Sequence, residues 1–282
     1  MIVGDGGRTR RRLVSFARTL VLGIGAVVVL MPFVWMLTTS LKLPQEIFTA
    51  DFRLFPADPT LQNYARVWHG APIPRYLLNS FVVASLILVS QLATITPAAY
   101  AFAKLKFAGR TVCFYLVLGM MMIPAHITMI PNFVTVHKLG WLDTYWGLAA
   151  PFLTSGFGVF LLRQFFLTIP DSLIDAARID GAGSWRVMWR IMVPLAWPAL
   201  LAFAIFSFAT HWNDYFWPLL VVRSKTMQTI PLALASFQNQ EAGTLWGELM
   251  AAAVIGVAPL LTFFLVVQRR FIEGIAFTGL KG

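Results

Sequence analysis

The chain has 282 residues, of which 58% are hydrophobic and only 12% charged, with a mean hydropathy of +0.73 and a formal net charge of +10. A soluble domain carries about 25% charge, so this composition excludes one water-exposed globule and points to a bilayer as the solvent. The basic residues fall between apolar runs rather than on one face, which argues against a nucleic-acid partner, and the single cysteine, Cys113, excludes an intrachain disulfide or a cysteine metal site.

The N-terminal stretch RTRRRLVSFARTLVLGIGAVVVLMPFVWML joins a basic segment to an apolar run. From Leu20 to Leu37 that run is longer than a signal-peptide core, and no A-x-A site follows, so it reads as a retained first span. A helix needs about 20 residues to cross roughly 30 Å of hydrocarbon. Six stretches qualify, at roughly 16–38, 78–102, 111–131, 145–167, 198–222 and 246–268. The expected fold class is therefore all-α, a polytopic membrane protein with six transmembrane helices. Pro32, Pro97, Pro124 and Gly156 lie within these runs, where neighbouring helices can satisfy the backbone groups they free.

The basic residues set the direction. Arg8, Arg10, Arg11, Arg12 and Arg18, then Lys104, Lys106 and Arg110, then Arg163, Arg178, Arg186 and Arg190, and finally Arg269, Arg270 and Lys281 share one side. The other side has only Lys42, Arg53, Arg66, Arg75, Lys138, Arg223 and Lys225. The bias places both termini in the cytoplasm and the proline- and aromatic-rich 40–76 loop outside, where it is expected to fold over the bundle mouth.

On the second span Asn79, Ser80, Gln91, Thr94 and Thr96 are polar residues that either face a solute path or bond between helices. His126, near Pro124, has no second histidine or carboxylate at metal spacing and reads as a packed histidine. Asp143 and Glu241 are expected in solvated outer loops, and Glu248 at the interface.

The cytoplasmic segment PDSLIDAARIDGAGSWRVMWRIMVPLAWP, residues 170–198, is unusually polar for this chain. Ser172 and Asp175 fit an S-x-x-D capping box, which predicts a short helix over 173–180. Gly181 and Gly183 then allow a change of direction, and Ser184 can cap a second helix that Pro194 stops. Trp185, Met188, Trp189 and Met192 form an apolar stripe on that second helix, with Arg186 and Arg190 on another face. Such a segment either rests on the inner leaflet or docks a soluble partner, and periodicity does not choose. Further on, Asn213 and Asp214 lie in the outer half of the fifth span. A carboxylate there must face protein or water, as a path-lining residue or as an interhelical contact. Trp212 and Trp217 read as packing or interface markers.

DAARIDGAGSWRVMWRIMVP resembles the EAA loop of binding-protein-dependent ABC importer permeases, a pattern of E-A-A, three intervening residues, G, nine intervening residues and then I-x-L-P. Asp175 stands here for the glutamate and Val193 for the leucine. NSFVVASL, AAYAFAKLKFAGR, MMIPAHITMIPNF and WNDYFWPL extend the resemblance over roughly 75–282, to the carbohydrate-uptake branch, the MalG-like permeases. The resemblance implies a type I ABC importer permease fold in the cytoplasmic (inner) membrane of a prokaryote. It implies a second permease subunit, a dimer of ATP-binding subunits and an extracytoplasmic solute-binding protein as partners, with a sugar or related polyol as solute.

The ATPase-coupling residues implied are Asp175, Ala176, Ala177, Asp180, Gly181, Ala182, Ile191 and Pro194. Asn79, Gln91, Asn213 and Asp214 are the candidates for the solute path. No catalytic residue, metal or bound cofactor is expected in this chain, which has no G-x-x-x-x-G-K-[ST] phosphate loop; ATP and Mg would be used by the partner ATPase. An intramembrane enzyme would call for paired carboxylates, H-E-x-x-H or G-x-S-x-G, and a proton-coupled carrier for internal repeats and a charged relay; the sequence shows neither set. The expected organisation is a tail, first span and outer loop over 1–75, a transporter core over 76–268 with its coupling loop at 169–197, and a cytoplasmic tail over 269–282.

Overall fold

The structure, a computed structural model, describes residues 5–48, 53–239 and 243–278. Apart from a two-residue pairing of β1 (Gln238–Asn239) with β2 (Gly243–Thr244), the described residues form helices and turns. Contacts divide the chain into two units, Met1–Ala71 with Phe237–Ile255, and Pro72–Ser236 with Gly256–Gly282.

In the first unit, α1 (Asp5–Ser40) exposes its apolar side chains from Val14 to Leu37, as a lipid-facing or partner-facing span must. Beyond it come α2 (Pro44–Ile47) and α3 (Gln62–Gly70). The buried Asn63 of α3 donates its amide to the Ser40 and Lys42 carbonyls at 2.9 and 2.8 Å, satisfying the frayed end of α1. Gly247 lies against the same amide, and a Cβ there would stand 2.6 Å from it. Glu248 pairs with Arg66 at 3.6 Å. Glu241 lies outside the described residues.

The second unit is built around α4 (Ile73–Lys104), a helix of 32 residues. It is followed by α5 (Arg110–Met121) and α6 (Ala125–Lys138), then α7 (Tyr145–Ala149) with a 3-10 turn over Ala150–Phe152, and α8 (Gly156–Thr168). Next come α9 (Asp171–Ile179), α10 (Ser184–Val187), a π turn over Met188–Met192 and α11 (Val193–Leu195). Then follow α12 (Trp197–Trp212), α13 (Phe216–Val221) and α14 (Ile230–Ala235). The last helix, α15 (Trp246–Thr278), belongs to this unit from Gly256 on.

Among the described residues, only Val14–Ser40, Ile73–Lys104 and Trp246–Val266 are single helices long and apolar enough to cross a membrane; six spans result when each bent pair is one span. The expected continuous third, fourth and fifth spans are broken. α5 and α6 meet at 96°, where Pro124 has no N–H to continue the ladder. The fourth bends by 47° before Ser155, whose hydroxyl accepts from the Gly158 N–H and restarts the helix as α8. The stretch expected over 198–222 stops at Trp212 and resumes at Phe216, and α12 meets the preceding 184–195 helix at 76°.

A core of Ile95, Tyr100, Val159, Leu162, Phe166, Met188, Met192 and Phe203 joins α4, α8, the π turn and α12. Gly158 permits this crossing: a Cβ there would lie 2.7 Å from the Phe203 ring and 2.9 Å from Ile95. Trp217 and Trp212 are buried, and their indoles donate to the Gly147 and Gly256 carbonyls at 3.0 and 3.1 Å, so both serve packing. His126 packs edge-on against Phe216, with ring centroids 5.7 Å apart.

Asp143 adopts φ 59°, and its carboxylate accepts from the Arg223 and Ser224 N–H groups, both at 2.9 Å. It thus anchors the segment after α13 rather than lying free in solvent. Partial burial opposes its ionisation, but the Ser224 and Arg223 amides and the Arg223 charge win and hold the carboxyl below its usual range. A carboxyl with a lowered folded pKa adds stability that is complete above its unfolded pKa and is lost as pH falls through the folded value. In Asp143→Asn, which tolerates the same backbone, the melting temperature in detergent should therefore fall at neutral pH. The deficit should be small, below about 1 kcal/mol for a carboxylate still in contact with solvent, and it should vanish as the pH drops below the usual carboxylate range.

Candidate functional site

Helix α9 begins earlier than the capping-box reading expects. Pro170 occupies the N-cap, and Ser172 and Asp175 lie inside the helix, so neither caps it. Asp175 is exposed and pairs with Arg178 at 3.8 Å. The anion of the first turn is Asp171, which the Lys104 ammonium, by hydrogen bond and by charge, holds below the usual carboxylate range.

The far end of α9 is a Schellman stop. The Ala182 N–H reaches the Ala177 carbonyl at 2.9 Å, the Gly181 N–H reaches Arg178 at 3.0 Å, and Gly181 takes φ +78°. This explains the residue types of the loop. Glycine supplies the left-handed position, and Ala177 and Ala182, the two residues that the motif brings together, pack jointly on the core. Ala176 and Asp180 are exposed. Of the nine residues of α9 only Ile174 is buried. Leu173 and Ile179 are 45% and 87% exposed, and with Ala176 they recur at i, i+3 and i+6, an apolar strip with a low centre. No motif marks Leu173 and Ile179 in the sequence, although their spacing about Ala176 is visible there.

In the second helix of the loop the expected stripe divides. Met188 and Met192 are buried in the core, while Trp185 and Trp189 stay exposed, edge to face at 5.9 Å. Ser184 is the first helical residue rather than its cap. Pro194 does not stop the helix either. The π turn over Met188–Met192 widens the ladder ahead of the missing proline N–H, and the break falls at Ala196. Ile191 is half-buried and Pro194 exposed.

Of the solute-path candidates, Asn79 and Gln91 are buried with their polar atoms occupied. The Asn79 amide donates to the Thr226 and Gln228 carbonyls, both at 2.8 Å, and its oxygen accepts from the Tyr145 hydroxyl at 2.7 Å. Beside it the Ser80 hydroxyl accepts from the Ile230 N–H at 2.8 Å. Gln91 donates to the Phe152 carbonyl at 2.8 Å and accepts from Ser207 at 2.6 Å. Ser90 and Thr94 reach the Leu153 carbonyl, so three residues of α4 satisfy the break in the fourth span. Asn213 and Asp214 occupy the gap between α12 and α13. Asn213 is exposed and donates back to Ala209 at 2.8 Å, and Asp214 accepts from the Trp217 N–H at 3.3 Å, capping α13.

At its other end α4 carries Lys104, whose side chain is 6% exposed. It donates to the Ile169 carbonyl at 2.7 Å and to Asp171 at 2.6 Å. In the sequence this lysine reads only as a topology charge. Among the described residues no three His, Cys, Asp or Glu side chains cluster as metal ligands would.

Residues 95–276 match the family model described as binding-protein-dependent transport system inner membrane component. The chain is 34% identical over 274 residues to the sn-glycerol-3-phosphate transport system permease protein UgpE of Yersinia pestis bv. Antiqua (strain Antiqua), covering 94% of this chain and 97% of that one. A chain of a bacterial ABC transporter involved in the import of the acidic polysaccharide alginate superposes with a TM-score of 0.81 at 26% identity, covering 96% of this chain and 99% of the other. A chain of a bacterial alginate ABC transporter, solved in complex with an alginate pentasaccharide-bound periplasmic protein, shares the fold at 16% identity and a TM-score of 0.65, over 93% of this chain and 94% of that one.

Gly181→Ala should strain the left-handed position by about 1 kcal/mol. It should cause no steric clash, since nothing lies within 4 Å of where the added Cβ would sit. Hydrogen exchange of the amides at 180–182 should accelerate several-fold while those of α4 stay unchanged.

Proposed function

Because this chain belongs to the family of inner membrane components of binding-protein-dependent transport systems, we propose that its 170–194 loop is the surface through which a separate ATPase drives it. The chain is a membrane-spanning permease subunit of an ABC importer; it is a transport subunit and not the ATP-hydrolysing one. The observation that carries the coupling reading is the exposed strip Leu173, Ala176 and Ile179 on a helix ended by the Gly181 stop. A cleft in a partner can approach the small Ala176 closely and cover the two larger side chains, while the stop fixes the helix end against the core. Asp180 flanks this strip as an exposed carboxylate available to basic groups of the partner, beside the Asp175–Arg178 pair.

The assembly we infer contains a second permease, a dimer of ATP-binding subunits and an extracytoplasmic binding protein. ATP and Mg are used by the ATPase dimer, with no cofactor held in this chain. Both termini lie in the cytoplasm, supported by the distribution of lysine and arginine. The solute is a sugar or related polyol, supported by relatives that carry glycerol phosphate and alginate. Within the chain the path passes the gap at Asn213 and Asp214, where the helix is interrupted and Asn213 is exposed. Asn79 and Gln91 shape that path by holding neighbouring segments rather than by contacting solute.

The test is Ala176→Trp combined with Ile179→Asp, two exposed positions whose replacement leaves the core intact. Uptake in cells should fall to background, and the ATPase subunits should no longer co-purify with a permease that still reaches the membrane. Uptake at the unaltered level would exclude the loop as the coupling surface.

A further inference from the structure

Helix α4 is tied by polar groups to three separate segments along its length. Near one end Asn79 and Ser80 hold the 226–230 segment. In the middle Ser90, Gln91 and Thr94 hold the break of the fourth span. At the other end Lys104 holds the Ile169 carbonyl and Asp171, the residue two before α9 and its first residue. Apolar helix faces can slide past one another by a turn, because each side chain finds an equivalent groove. An ammonium bonded at once to a backbone carbonyl and a carboxylate resists such a slide, since moving by a turn costs both charge-assisted bonds together.

We propose that Lys104 is a positioning residue of the transport cycle, fixing the root of the 170–194 loop to α4 so that a displacement of α9 carries α4 and its far-end segment with it. The proposal rests on the reading that an ATPase grips the loop. It adds the route by which that grip reaches the opposite end of the unit. The link is local and short: Lys104 is the last residue of α4, and its two acceptors bracket Pro170, so no flexible linker intervenes. The other basic groups nearby, Lys106 and Arg178, act on Asp171 through charge, and the hydrogen bond to it comes from Lys104. Arg110 donates to the Leu105 carbonyl and Arg178 pairs with Asp175 within α9. The cleft beside the link, ≈ 310 Å³ and lined by Lys104, Arg110, Asp171 and Arg178 among others, has room for a larger cation in place of the ammonium.

The readout is solute moved per ATP hydrolysed in proteoliposomes holding the complete importer. Lys104→Met should lower that ratio about tenfold, within the range that perturbing a coupling element produces, with the ATPase subunits still bound and still hydrolysing ATP. Lys104→Arg, which retains the charge and both acceptors, should restore the ratio to within about twofold of the unaltered protein. A methionine variant with an unchanged ratio would overturn the proposal, and so would one that sheds its ATPase subunits, because Lys104 would then only fold the docking surface. Failure of the coupling reading itself looks different: the Ala176→Trp, Ile179→Asp protein would keep its uptake whatever the Lys104 variants do.

Discussion

Hydrocarbon offers no hydrogen-bond partners, so wherever a span breaks, the freed backbone groups have to be met from within the protein. The third and fourth spans are broken pairs and the fifth is interrupted after Trp212, and the positions of the few intramembrane polar side chains follow from that demand. Ser90, Gln91 and Thr94 stand opposite the carbonyls of Phe152 and Leu153, and Asp214 stands before the first amides of α13. The two buried indoles, Trp212 and Trp217, spend their N–H groups on backbone carbonyls in the same way.

One consequence is that α4 is both the longest helix of its unit and the one carrying most of these bonds. It is a continuous rod despite Pro97, while the segments around it bend at 96°, 47° and 76°. Polar ties from a rod to bent neighbours fix those neighbours relative to one another, which apolar packing alone would do less strictly. The 170–194 loop joins this frame through Lys104 and through Ile174, Ala177 and Ala182 on the core, while its outer strip stays exposed. Rigidity on the inner side and an open apolar strip on the outer side are what a lever gripped by another subunit requires.

Hydropathy locates all six apolar stretches, and the three spans that are single helices match it closely. It averages over a window and is blind to direction, so the breaks at Pro124, before Ser155 and after Trp212 are not legible in it as bends. The S-x-x-D pattern at Ser172 suggests a cap because sequence spacing records which bonds are possible. The helix instead starts at Asp171, behind a proline that needs no N–H partner and beside a lysine 67 residues away in sequence. The stripe of Trp185, Met188, Trp189 and Met192 is correct in spacing but divided between core and surface, since a π turn shifts the angular step and only tertiary packing selects which residues enter. Asn79 and Gln91 are visible as polar residues in an apolar helix; that their groups are occupied by backbone carbonyls 61 to 149 residues away comes only from the fold.

If the 170–194 loop, α4 and the segment at its far end move as one body, the distance between the two ends of that body must be independent of nucleotide. Spin labels at Ser172 and Lys225 in a Cys113→Ser background, read by pulsed electron resonance in the complete importer, measure that distance. One narrow distribution is expected, the same without nucleotide and with ATP bound. A distribution that shifts or broadens when ATP binds would mean that the loop moves independently of α4, and would contradict the rigid coupling.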